Sequence, residues 1–144
     1  MLKLGFSKRR TGQIGIEFLS VAAVLLAIVA VLAGLSFLLF SDSVATSQTN
    51  DAVLSLTNSI NHVYRQGTGN AVTVRITLPQ NLKTSFVGGL SGKEIGFTLA
   101  TTFGDQNFFS YTDANVAGSL PIIPGTFLIR TASQDLNVWV QQVG

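Results

Sequence analysis

Glu17 has the most demanding setting of any charged residue in this chain. It is a lone carboxylate at the mouth of an apolar run of about 23 residues, from 18 to 40. Holding a carboxylate at membrane depth costs on the order of 2–3 kcal/mol, and residues kept there at that cost mark function. Three basic residues (Lys8, Arg9, Arg10) precede it, then the small residue Gly12 and Gln13. Elsewhere chemistry-bearing residues are sparse. His62 is the single histidine and has no partner nearby in sequence, so a surface or boundary position is expected. Asp105 and Asp113 flank an aromatic stretch, but two isolated acids do not make a calcium loop, and loop solvation is expected. For Arg65 and Arg75, surface ion pairing is expected rather than anion binding.

Whole classes of function fall away on composition. There is no Cys, which excludes disulfides and thiolate metal sites. No Gly-rich phosphate loop with its Lys occurs, nor a nucleophile–base constellation or zinc spacing. A non-enzyme without cofactor or metal is expected. Of nine Lys and Arg, four lie before Gly12, and from Gln13 onward five cations face seven acids, a side-chain sum of −2. No basic footprint for nucleic acid remains. None of the eight Asn residues stands in an Asn-x-Ser/Thr sequon, so N-glycosylation is not expected.

Residues 18–40 would form a helix about 35 Å long, enough to cross a bilayer core of about 30 Å. Five alanines (Ala22, Ala23, Ala27, Ala30, Ala33) and the small residues Ser20, Gly34 and Ser36 suit close helix–helix approach. The positive-inside rule puts residues 3–10 in the cytoplasm and the C-terminal domain outside. Three readings compete. A cleaved secretory signal has an apolar region of about 7–15 residues and a small-residue site after it, and this run is too long and lacks that site. A plain anchor fits length and charge but gives no reason for Gln13 and Glu17. The third reading is cleavage before the run, after Gly12, with the helix kept.

The stretch Arg9-Arg10-Thr11-Gly12-Gln13-Ile14-Gly15-Ile16-Glu17-Phe18 resembles the archaeal class III signal peptide of type IV pilin-like proteins (prepilins). In that pattern a basic stretch and Gly precede Gln, with Glu and Phe at this spacing. The family usually has Ser where this chain has Gly15. A looser resemblance continues through residues 60–79, similar to the helix end and first strand of small archaeal pilin-like proteins. The resemblance implies cleavage between Gly12 and Gln13 by a membrane-embedded prepilin peptidase, with an assembly ATPase and a platform membrane protein as further partners. Cleavage would create an ammonium on Gln13, able to neutralise Glu17 of the same chain or of a neighbouring subunit. Glu near a helix N-terminus also suits the helix dipole.

Residues 41–66 contain no Pro or Gly, and Val53, Leu56, Ile60 and Val63 recur at helical spacing, with Tyr64 extending the stripe. One helix from about Ile14 to Gln66 is expected, its second half amphipathic and laid on a globular head. Gly67 supplies the stop. A break at Ser41-Asp42-Ser43, which also reads as a helix cap, is the alternative.

Beyond it, strands are expected at 72–78, 82–87 (weakly), 94–99, 107–112, 126–131 and 136–140. The last would place Leu136, Val138 and Val140 on one face and Trp139 on the other. The apolar face should hold Val74, Ile76, Phe97, Leu99, Ile129 and Val138, whereas Phe108, Phe109, Tyr111 and Trp139 cannot all point inward. The fold class is therefore α+β, a long N-terminal helix followed by a small antiparallel β-sheet or β-sandwich head, pilin-like in layout. The domains expected are a cleaved leader at 1–12, the helix at 13–66 (about 18–40 transmembrane before assembly) and the β-rich head at 67–144.

The function implied is a structural subunit of an archaeal type IV pilus-like surface filament, a homopolymer joined through its hydrophobic helix and open to adhesion. It would sit in the cytoplasmic membrane as precursor and on the cell surface as filament. The rivals are a monomeric membrane-anchored extracellular binding module and a minor pilin or pseudopilin.

Overall fold

The computed structural model describes residues 15–143 with their side chains and 10–14 only as helix backbone. Helix α1 (Arg10–Gln66) is followed by strands β1 (Ala71–Leu78), β2 (Leu82–Gly88), β3 (Glu94–Thr101), β4 (Gly104–Tyr111), β5 (Asn115–Gly118), β6 (Gly125–Gln134) and β7 (Asn137–Val143). The chain divides into two compact units, one ending at Leu39 and the other running from Phe40. The expected α+β layout, one long helix and then a β head, is what the chain adopts.

Within the second unit the helix carries the stripe read from the sequence. Val53, Leu56, Ile60 and Val63 are buried, and Ala45, Thr49 and Ala52 extend the stripe upstream at the same spacing. Each large apolar side chain buried this way contributes about 1.5–3 kcal/mol. Tyr64 departs from expectation and is exposed, because it lies a residue beyond the contact line. No break occurs at residues 41–43. Asp42 instead accepts a hydrogen bond from the Thr102 amide at 2.8 Å, fastening the β3–β4 turn to the helix. The helix stops at Gly67, whose φ of 88° only glycine adopts freely. The Asn70 side chain donates to the orphan carbonyl of Gln66 at 2.9 Å.

The strands form two sheets, with orders β1-β6-β7-β5 and β2-β3-β4. This decides between the single sheet and the two-sheet arrangement and corrects the all-antiparallel expectation, because β5 pairs in parallel with β7. Only Val116 of β5 is buried, so this four-residue strand shows no alternation to read. A second correction concerns Leu136. It lies in the two-residue β6–β7 turn and is exposed, with Asp135 at a φ of 52°, a left-handed conformation that Asp tolerates better than most residues.

The five expected core residues Ile76, Phe97, Leu99, Ile129 and Val138 are fully or nearly buried, and Val74 packs against them in part. Both sheets and the helix share this core. Gly96 lies where a Cβ would come within 2.5 Å of the Phe86 ring and 2.3 Å of the Phe108 carbonyl. Its lack of a side chain lets the sheet close there.

One buried polar contact ties helix to sheet. Ser59 Oγ and Thr131 Oγ1 are 2.6 Å apart, and Thr131 donates to the Val72 carbonyl at 3.2 Å. With its only proton given to Val72, Thr131 accepts from Ser59. Thr131→Val leaves the Ser59 hydroxyl unpaired, and a loss of about 1–3 kcal/mol is expected in denaturant unfolding followed by circular dichroism. A second prediction concerns Asp42. The Thr102 side chain, and then its backbone amide, hold the Asp42 carboxyl below its usual range. A lowered folded pKa gives stability that is present above the unfolded value of about 4 and lost as pH falls through the folded one. Asp42→Asn should therefore be less stable than the parent at pH 7, with the gap closing below about pH 4 in paired unfolding curves.

Candidate functional site

The first unit has no core to join. Every side chain from residue 15 to 40 is exposed. Phe18 is 76% and Leu26 72% exposed, against 0% for Leu56 on the same helix. The apolar side chains surround the helix instead of forming a stripe, the pattern of a helix made for burial on all sides. Gly15–Gln66 is long and apolar enough to cross a membrane by length and composition. Its serines are neutralised locally. Ser20 donates to the Glu17 carbonyl and Ser36 to the Leu32 carbonyl, each at 2.8 Å, so neither presents a free hydroxyl donor to an apolar medium. Around Gly15 and Gly34 no atom lies within 4 Å of a Cβ position, which leaves notches where another helix backbone can approach.

The site residues named from sequence fall in different places. Glu17 and Phe18 lie on this bare helix, both exposed. Arg10, Gly12 and Gln13 are seen only as helix backbone, and Lys8 and Arg9 lie outside the described residues. The Gln13–Glu17 ion pair therefore also lies outside them.

The other candidates have ordinary surroundings. His62 is exposed, its Nε2 3.0 Å from Gln66 Nε2 one turn on. Asp113 pairs with Arg65 at 3.1 Å, takes the Lys93 ammonium on its carbonyl at 3.2 Å, and donates its amide to Asn61 Oδ1 at 2.8 Å. Asp105 pairs with Lys83. Both acids were expected to be solvated in loops. Each meets a cation, since strand pairing and the helix end bring Lys83 and Arg65 to them. Arg65 forms the expected surface pair, while Arg75 makes none among the described residues. No group of three potential metal ligands occurs among the described residues.

As expected, the four aromatics do not all point inward, but only one of them packs in the core, where at least half were expected to. Phe108 packs against the core, while Phe109, Tyr111 and Trp139 are exposed, the first two edge-to-face at 5.8 Å. Sequence reading missed Asp42 as a tether, because nothing local points to a partner sixty residues away.

An apolar helix followed by a β head is compatible with membrane anchoring and with a pilin-like fold. A charge at the centre of the bare segment tests the first point. Val29→Arg should cost about 2.5–3.5 kcal/mol of insertion and move the protein from the membrane to the soluble or degraded fraction on cell fractionation. No family model, curated protein or solved structure matches the chain.

Proposed function

We propose that the chain is a structural subunit of an archaeal type IV pilus-like filament, processed after Gly12 and polymerised through its N-terminal helix. The observation that carries this reading is the exposure of residues 15–40 on every face of the helix. Lipid covers it in the precursor. In the filament a bundle of identical helices replaces the lipid, and the β heads form the outer surface. Lipid is as apolar as leucine, so the exchange gains little from hydrophobicity, and packing at small residues and polar pairing must drive it. Glu17 supplies the polar pair with the ammonium that cleavage creates on Gln13. Removing one partner of a desolvated ion pair costs about 3–5 kcal/mol, repeated at each subunit of a polymer. A prepilin peptidase, an assembly ATPase and a membrane platform protein complete the machinery this reading requires.

N-terminal sequencing of the mature protein should begin at Gln13, and surface-exposed protein that still begins at Met1 would sink the proposal. Glu17→Ala should abolish filaments in electron micrographs while leaving cleavage largely intact, whereas a normal filament yield would remove the role given to the acid. Gly12→Val should accumulate uncleaved precursor, seen as a mass about 12 residues larger on a gel.

A further inference from the structure

The outer face of the four-stranded sheet holds a groove of about 370 Å³ lined by Arg130, Ala132, Gln134, Trp139 and Gln141. Strand alternation creates it. Val138 and Val140 point into the core, so Trp139 and Gln141 point out. Register then sets the neighbours of the indole: Ala132 on β6 and Ala117 on β5 lie directly beside Trp139. Methyl side chains are too short to cover the ring, and Trp139 stays 47% exposed. Arg130 and Gln141 are paired in the adjacent row, and Gln134 closes the other end.

Charge on this face is one-sided. None of the outward positions of the four strands is Asp or Glu, and Arg130 has no ion pair among the described residues.

We propose that this groove binds an acidic oligosaccharide, with one hexuronate ring stacked on Trp139 and its carboxylate held by Arg130. An exposed indole face offers an apolar surface with a negative quadrupole, suited to the C–H face of a pyranose. Gln134 and Gln141 each present a donor and an acceptor, the combination that vicinal hydroxyls require. The planar guanidinium takes a carboxylate through two parallel hydrogen bonds. The volume lies within the range of small-molecule sites. Single-stranded nucleic acid is the weaker fit, because it calls for successive aromatics and a track of cations. Here one indole and one guanidinium line the groove.

Trp139 is the only tryptophan, so its emission reports on the groove alone. Unpolymerised full-length protein in detergent micelles would be titrated with oligogalacturonate, with a malto-oligosaccharide of equal length and with oligothymidylate, which keeps the outcome independent of filament assembly. The expected result is a saturable emission change with oligogalacturonate, at least about tenfold tighter than with the uncharged sugar, the worth of one charge-assisted contact. Arg130→Gln should erase that preference. Trp139→Ala should abolish binding in calorimetry with circular dichroism unchanged; if that variant fails to fold, Arg130→Gln decides. No response to either sugar, equal affinity for the two, an undiminished preference in Arg130→Gln, or tighter binding of oligothymidylate would each overturn the proposal.

Discussion

Burial is the constraint on which the rest of this structure depends, because one helix meets it in two different ways. From residue 45 onward α1 has a stripe of apolar residues and a partner for it, the inner faces of two sheets. From residue 15 to 40 it has apolar residues all round, all of them exposed. The chain alone can satisfy only the second half. The first half is left for lipid or other helices to cover.

The head is built to hold its half of the helix firmly. Beyond the hydrophobic stripe, three polar ties reach from the helix to different parts of the β structure. Asp42 holds the β3–β4 turn, Ser59 reaches Thr131 of β6, and Asn61 with Arg65 grips the residues after β4. They are unlike in kind. The Ser59–Thr131 contact is buried, so its loss leaves a costly unpaired group. The exposed Arg65–Asp113 pair is worth much less.

Much of this was legible in the residues themselves. The absence of Gly and Pro between 41 and 66 announced an unbroken helix, and Val53, Leu56, Ile60 and Val63 announced its buried side. Alternation located β1, β3 and β7, the rigid loop at 121–125 marked the start of β6, and together they named most of the core. What stayed hidden depends on distance along the chain. The parallel strand β5 is too short to alternate, and its partner lies some twenty residues further on. The division into two sheets follows from pairings such as β1 with β6, which no local pattern encodes. Leu136 looked like the start of a strand because it is apolar, yet the left-handed Asp135 before it makes it a turn residue. For the apolar half of the helix, sequence exposed the oddity of Glu17, and the structure adds the bare surface around it. The Trp139 groove was legible only as an aromatic that had to point outward; its alanine flanks and its arginine came together through register.

The order of the larger sheet also bears on how the head folds. Strand β7 is the seventh in chain order, yet it occupies an interior place, with β6 on one side and β5 on the other. Until it arrives, β5 has no neighbour in its sheet, and the buried positions of Val138 and Val140 stand empty. A head of this topology cannot complete its larger sheet strand by strand in chain order. Closing many long-range contacts at once makes that last step slow and cooperative. The position of one strand thus works as a latch, tying completion of the whole sheet to the last strand of the head.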